Sequence, residues 1–189
     1  MQGILSLSEA EKLLRECKKG GYRARTRLYK LYAPSLLSIC MRYSRDKAEA
    51  EDVLHEAFIK IYTKIDQARE ATFEAWMRQI VRNEALQFIR KRVSENIQQE
   101  RYEKDSISDY NSEEDVSFKQ VPAKIILEFI QNLPDGYRLI FNLYVFEENT
   151  HKEISEILNI SEGTSKSQYA RAKKKLQKQI IDFKNKKNT

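Results

Sequence analysis

Cysteine, proline, glycine and long apolar runs are all scarce in this 189-residue chain, and each shortage excludes something. There are 5 Gly and 3 Pro, too few for the many tight turns of an all-β sandwich or barrel. The longest near-apolar run, Leu139–Phe146, contains Asn142 and falls far short of the ~18 residues of a membrane span. Glu9, Glu11, Lys12 and Arg15 near the start argue against a secretory leader. The two cysteines, Cys17 and Cys40, cannot build a disulfide framework and are expected to be buried thiols in a reducing compartment. Together with the distant His55 and His151 they show no zinc-ligand spacing, so no metal is expected. There is no GxGxxG, P-loop or HExxH, and the two histidines lie far apart, which argues against an enzyme and against a cofactor.

What is present is charge and helical periodicity. Charged residues make up 33% of the chain, with 34 Lys+Arg against 28 Asp+Glu, a net +6. The distribution says more than the total. Between Lys166 and Lys187 nine basic residues face one acid, Asp182, whereas between Arg101 and Gln120 six acids face three bases. A basic end beside an acidic middle suggests a polyanion held by that end.

The periodicity divides the chain into two all-α domains. In residues 1–93, Ser8–Glu11 suggests a capping box for a first helix that Gly20-Gly21 ends. A second helix spans about 23–43, with Pro34 expected to kink or divide it, and a third spans about 47–65. A fourth carries Phe73, Trp76, Met77, Ile80 and Val81 on one stripe; Thr72 is placed to cap it and Arg90-Lys91-Arg92 to end it. Residues 94–121 lose the pattern and read as a flexible acidic linker. Residues 122–189 resume it. Pro122 suits a first turn, Pro134-Asp135-Gly136 breaks the next helix, and Tyr137–Phe146 is apolar enough to centre a second core. A capping box at Thr150 and Glu153 then opens an eight-residue helix, Asn159-Ile160 turns, and Ser161 caps a long basic helix, which is a helix-turn-helix.

Three constellations bear on function. Lys166, Ser167, Ala170, Arg171 and Lys174 share one face of the last helix, suited to phosphates and base edges, with Tyr169, Ala172 and Leu176 turned inward and Gly163 expected to permit close helix approach. Asp52, His55, Glu56 and Lys60 form an exposed face above an apolar underside, which is either a solvated surface or a docking face for a charged partner. Aromatics interleaved with arginine over Phe73–Asn83 could stack bases, although Trp76 reads more simply as core.

The Glu51-Asp52-Val53-Leu54-His55-Glu56-Ala57-Phe58-Ile59-Lys60 helix is followed by Phe73-x-x-Trp76-Met77-x-x-Ile80-x-x-Asn83. Then come the acidic stretch, Leu133-Pro134 and Ile160-Ser161-Glu162-Gly163-Thr164-Ser165-Lys166-Ser167. In that order and spacing the chain resembles a bacterial extracytoplasmic-function (group 4) sigma factor, over most of 22–92 and 122–180. The resemblance implies a sigma-2-like domain over 1–93 and a sigma-4-like domain over 122–189. It implies binding to core RNA polymerase and promoter DNA in the cytoplasm, transcription initiation in response to stress or a signal, and restraint by an anti-sigma factor. By the same resemblance Asp52, His55 and Glu56 dock on the polymerase. Asp66, Gln67, Ala68, Arg69, Glu70, Ala71, Thr72 and Phe73, with Asn83, take the flipped base of the −10 element; the polar stretch 66–72 reads as a mobile loop, and Asn83, ten residues or almost three helical turns after Phe73, as lying on nearly the same face. Lys166, Ser167, Ala170, Arg171 and Lys174 read the −35 element, chiefly through Lys166 and Arg171, because Ala170 offers only a methyl. The sequence departs from the family where His55 replaces a commoner Gln, where Ser165 replaces an aliphatic residue, and where Tyr169 is unusually bulky. A stand-alone helix-turn-helix repressor is the rival reading, but no dimer helix or ligand-pocket motif supports it.

Overall fold

A computed structural model describes residues 7–100 and 121–187, with the side chains of 9–93 and 121–186. All regular structure among these residues is helical. The helices are α1 (Leu7–Lys18), α2 (Tyr22–Tyr43), α3 (Lys47–Thr63), α4 (Phe73–Glu100), α5 (Ala123–Gln131), α6 (Asp135–Val145), α7 (His151–Leu158) and α8 (Glu162–Lys187). Two 3-10 turns, Ile65–Gln67 and Glu70–Thr72, join α3 to α4. The chain forms two compact units, Met1–Phe88 and Ile89–Thr189.

In the first unit the apolar stripes meet in one core. Leu14, Cys17, Leu28, Leu36, Cys40, Tyr43, Ala57, Ile61, Met77 and Val81 are fully enclosed. Asp46 caps α3, its carboxylate accepting from the Glu49 N–H at 2.9 Å. Gly20 adopts φ +79 just beyond α1, a left-handed turn that glycine takes without steric cost. Both cysteines are free and buried, and burial pushes the Cys40 thiol up to about 12.

Several local expectations change. Ser8 lies inside α1 and is not its cap. Pro34 neither ends nor divides α2; it lies exposed within a continuous helix, where the carbonyl it leaves unbonded can turn to water. The start of α4 is not a simple Thr72 cap: the 3-10 turn runs straight into it, with the Phe73 N–H bonded to the Glu70 carbonyl. At its other end α4 passes the basic run and reaches Glu100, seven residues into the stretch read as linker. Val93–Glu100 contains neither Gly nor Pro and is rich in Glu and Gln, so nothing local stops it. The remainder of that stretch, 101–120, lies outside the described residues.

The second unit is built around α6. Leu139, Ile140, Phe141, Asn142 and Leu143 are all buried, as an all-round apolar helix requires. Ile130, Leu133, Phe141, Ala172 and Leu176 make the core, flanked by Ile126, Phe129, Tyr137 and Tyr169. The helix before Pro134 does end there, α5 stopping at Gln131, but Pro134 alone marks the break: it caps α6, and Asp135 and Gly136 already belong to that next helix. Pro122 likewise stands just before the first turn of α5. The Arg138 guanidinium is fully buried and donates to the Asp135 carboxylate and the Gln131 carbonyl, which supplies the partners a buried charge needs.

Candidate partner and nucleic-acid interfaces

On α3 the i, i+3, i+4 spacing turns Val53, Leu54, Ala57 and Phe58 inward and leaves Asp52, His55 and Glu56 exposed, as the sequence requires. The structure adds a groove beside this face. Its volume is about 330 Å³, and it is lined by Asp52, Val53, His55, Glu56, Glu84 and Phe88. Carboxylates and an imidazole therefore surround an apolar floor of Val53 and Phe88. Lys60, grouped with these residues by the sequence, pairs with Glu84, which lines the same groove. Glu84 and Phe88 were not legible as part of this surface, because α4 brings them to it from some thirty residues downstream. An acidic rim over an apolar floor fits a segment carrying both basic and apolar side chains.

The segment between α3 and α4 differs from the mobile polar loop its composition suggests. Its two 3-10 turns carry backbone bonds from Gln67 N–H to Lys64 O (3.0 Å), Ala68 N–H to Ile65 O (3.1 Å) and Thr72 N–H to Arg69 O (3.2 Å). The Lys18 ammonium donates to the Ala68 carbonyl at 2.7 Å and to the Asp66 carbonyl at 3.3 Å. Arg15 lies 3.5 Å from the Glu70 carboxylate. Asp66, Gln67, Arg69, Glu70, Ala71 and Thr72 are exposed, whereas Ala68 and Phe73 are each 3% exposed. Those last two belong to the supporting core and cannot face a ligand. Phe73 packs edge-on to Tyr32 and stacks on the half-buried Trp76 at 6.1 Å.

Asn83 is exposed and its amide oxygen accepts from Gln79 at 3.2 Å. It does not share the face of Phe73. Ten residues are about 2.8 helical turns, and the shortfall of about 80° carries Asn83 from the buried side to the open one. Asn83 thus stands on the exposed side of α4, while Phe73 anchors its start.

The helix-turn-helix follows its sequence signals closely. Thr150 and Glu153 form the reciprocal capping box, and its hydrogen bonds from Thr150 hold the Glu153 carboxyl below its usual range. Asn159 makes the turn in the left-handed region, φ 53. Ser161 caps α8, accepting from the Thr164 N–H at 3.0 Å. At about 100° per residue, Lys166, Ser167, Ala170, Arg171 and Lys174 centre opposite Ser165, Ala172 and Leu176, which are all 0% exposed. Lys166 pairs with Glu162 at 2.7 Å, and this bond holds the Glu162 carboxyl low. The Ser167 hydroxyl donates back to the Thr164 carbonyl at 3.0 Å. Gly163 is not needed for close approach, since a Cβ there would meet only the Ser161 hydroxyl, at 3.7 Å.

Ser165 and Tyr169, the two unusual residues, have one explanation. Ser165 Oγ and His151 Nδ1 share a hydrogen bond of 2.9 Å. The His151 ring stacks on Tyr144 with centroids 4.6 Å apart, and Tyr169 lies 4.4 Å from Tyr144 and 5.6 Å from His151. A polar bond inside an aromatic cluster thus fills the space an aliphatic side chain would take. Burial, and then the Lys166 charge, lower the His151 pKa below its ordinary 6.5.

Comparison with known proteins agrees with this division. The Sigma-70 region 2 family matches residues 28–95, and the Sigma-70 region 4 family matches residues 123–176. The chain is 30% identical over 182 residues to the ECF RNA polymerase sigma factor SigW of Bacillus subtilis (strain 168), covering 92% of this chain and 97% of that protein. It is 28% identical over 156 residues to SigM of the same organism, covering 79% and 90%. Among solved structures, the sigma factor RpoE in complex with the anti-sigma factor NepR from Bartonella quintana aligns at 21% identity with a TM-score of 0.45, covering 82% of this chain and 96% of that one.

Proposed function

This chain belongs to the ECF RNA polymerase sigma factors, and from that premise we propose how its surfaces divide the work of initiation. As a sigma factor it binds core RNA polymerase and directs it to promoters. The observation that carries the reading is the presence, in one chain, of both the region 2 and the region 4 match. A repressor built on the helix-turn-helix alone gives no reason for the first.

We assign residues 1–93 to polymerase and −10 binding, 94–121 to the connection, and 122–189 to −35 binding. Asp52, His55 and Glu56, with the groove they line, dock on the polymerase; the acidic rim selects a basic partner segment and the Val53–Phe88 floor takes an apolar side chain. Asp66, Gln67, Arg69, Glu70, Ala71, Thr72 and Asn83 are the exposed groups available to a base leaving the duplex. Unstacking a base costs a few kcal/mol, so a formed receiving surface favours the open state. Lys166, Ser167, Ala170, Arg171 and Lys174 enter the upstream duplex. Each DNA contact set is weak alone, and attachment of both to the polymerase raises their effective concentration.

In this reading bond formation belongs to the polymerase, and the chain contributes no catalytic group. It works in the cytoplasm, where the polymerase is, and no helix among the described residues is long and apolar enough to cross a membrane. An anti-sigma factor that holds the chain until a stress or other signal arrives is a further partner, by its membership of the family.

The docking assignment is tested by titrating labelled core polymerase with the Asp52→Ala/Glu56→Ala variant. Both side chains are exposed, so the fold survives and affinity falls by at least tenfold, equivalent to about 1.4 kcal/mol. Unchanged affinity would remove α3 as the docking face.

A further inference from the structure

We infer that Lys18 is a positioning residue for promoter opening, through which α1 fixes the shape of the segment that receives the melted base. The inference rests on assigning residues 66–72 to that role. α1 precedes residue 28, where the region 2 match begins, and no sequence motif connects it to the −10 element. Its own anchoring is firm, with Leu13, Leu14 and Cys17 at 2%, 0% and 0% exposure. From this anchored helix two cations reach the segment. The 3-10 turns use the carbonyls of Lys64, Ile65, Arg69 and Glu70, and the Lys18 ammonium takes those of Asp66 and Ala68. Arg15 meets Glu70, at the start of the second turn.

The arrangement ties the segment at three points spread over five residues, Asp66 to Glu70, and every tie leads to the same turn of α1. The side chains of Gln67 and Arg69, which alternate with the tied positions, are left exposed. A segment that must order itself while capturing a base subtracts that ordering cost from the capture; a segment already ordered does not. Hydrogen bonds from a charged donor are stronger than neutral ones, and both of these come from one ammonium, so its loss frees both carbonyls together. A direct phosphate contact is the competing role for a lysine here, and it makes a different prediction about salt.

The test uses the full chain assembled with core polymerase, with Lys18→Met, Lys18→Arg, Arg15→Gln and a Gln67→Ala/Arg69→Ala control. Open complexes are followed by permanganate reactivity on duplex promoters and on a pre-melted bubble. Lys18→Met should lower opening on the duplex about tenfold and shrink the preference for a correct over an altered −10 element. It should leave core affinity and most bubble activity intact. Lys18→Arg should restore opening, and Arg15→Gln should show a smaller loss in the same direction. Trp76 emission reports whether the first unit is folded; if Lys18→Met disturbs it, Arg15→Gln decides alone.

The proposal is overturned if opening is normal in Lys18→Met while the Gln67/Arg69 control is impaired, since the segment then reads DNA without needing Lys18. If the control too opens normally, the assignment of residues 66–72 fails and the inference falls with it. Failure of Lys18→Arg to rescue opening also overturns it. So does a uniform loss across sequences with the salt slope flattened by about one, which marks a phosphate contact.

Discussion

Replacing Ser165 with alanine removes one oxygen from the interior of the helix-turn-helix and changes little else. Ser165 is 0% exposed, and its hydroxyl bonds His151 Nδ1 at 2.9 Å. A neutral hydrogen bond contributes a net ~1 kcal/mol, and stranding a fully buried partner would cost more. His151 is half-buried, so water can reach the freed nitrogen, and the expected loss is about 1 kcal/mol. For a unit of this size that lowers Tm by roughly 4–8 °C. His151→Phe keeps the stack on Tyr144 while deleting the nitrogen, so in that background Ser165→Ala should cost almost nothing.

The same pair fixes a pH dependence. The folded-state pKa of His151 lies below its ordinary 6.5, so the folded protein binds fewer protons than the unfolded one. Stability is therefore held above about pH 6.5 and lost as the pH falls through the lowered value. His151→Phe should flatten that limb. The assay is amide hydrogen exchange of α7 and α8 in the full chain, because the single tryptophan, Trp76, reports the other unit. Undiminished protection in Ser165→Ala, or an equal loss in the His151→Phe background, would refute the reasoning.

Two further outcomes follow from the same geometry. Lys166→Ala and Arg171→Ala should each weaken promoter binding, by ~1–3 kcal/mol where a base edge is lost, or with a salt slope flatter by about one where a phosphate is lost. Lys166→Ala also unpairs Glu162, so repulsion between that carboxylate and DNA adds to its loss; binding by gel shift at several salt concentrations separates the terms, and wild-type affinity in both variants would misplace α8. Cys40 should resist a thiol reagent at pH 8, since its thiol is enclosed and its pKa is pushed up to about 12, and should react only on unfolding; rapid labelling of the folded protein would contradict this.

The helices and the helix-turn-helix were legible because their signals are local. The Thr150–Glu153 box, the Ser161 cap and the inward positions of Ala172 and Leu176 all lie within one or two turns of the residues that specify them. The exposed α3 face was legible for the same reason. The larger failures at the candidate surfaces depended on distance in sequence. Polar composition over 66–72 suggested mobility, but two 3-10 turns order it and Lys18, some fifty residues earlier, ties it down, a contact no spacing rule reports. The groove beside α3 needs Glu84 and Phe88 from α4, again beyond any local pattern. Asn83 was misplaced because almost three turns still leaves about 80° between it and Phe73, and Gly163 by giving a packing role to a glycine whose Cβ would meet only the Ser161 hydroxyl, at ordinary contact distance.

The central claim is that one chain gives core polymerase both its promoter contacts. Its most direct measurement is run-off transcription by purified core polymerase on a promoter mapped by start-site sequencing after overexpression, with and without this chain. Added chain should produce a single defined start. Replacing either the −10 or the −35 element should abolish that start, and Asp52→Ala/Glu56→Ala should lose it through weakened core binding. A chain that binds the same promoter tightly without core polymerase, and produces no start when core is supplied, would be a stand-alone DNA-binding protein and would contradict the account.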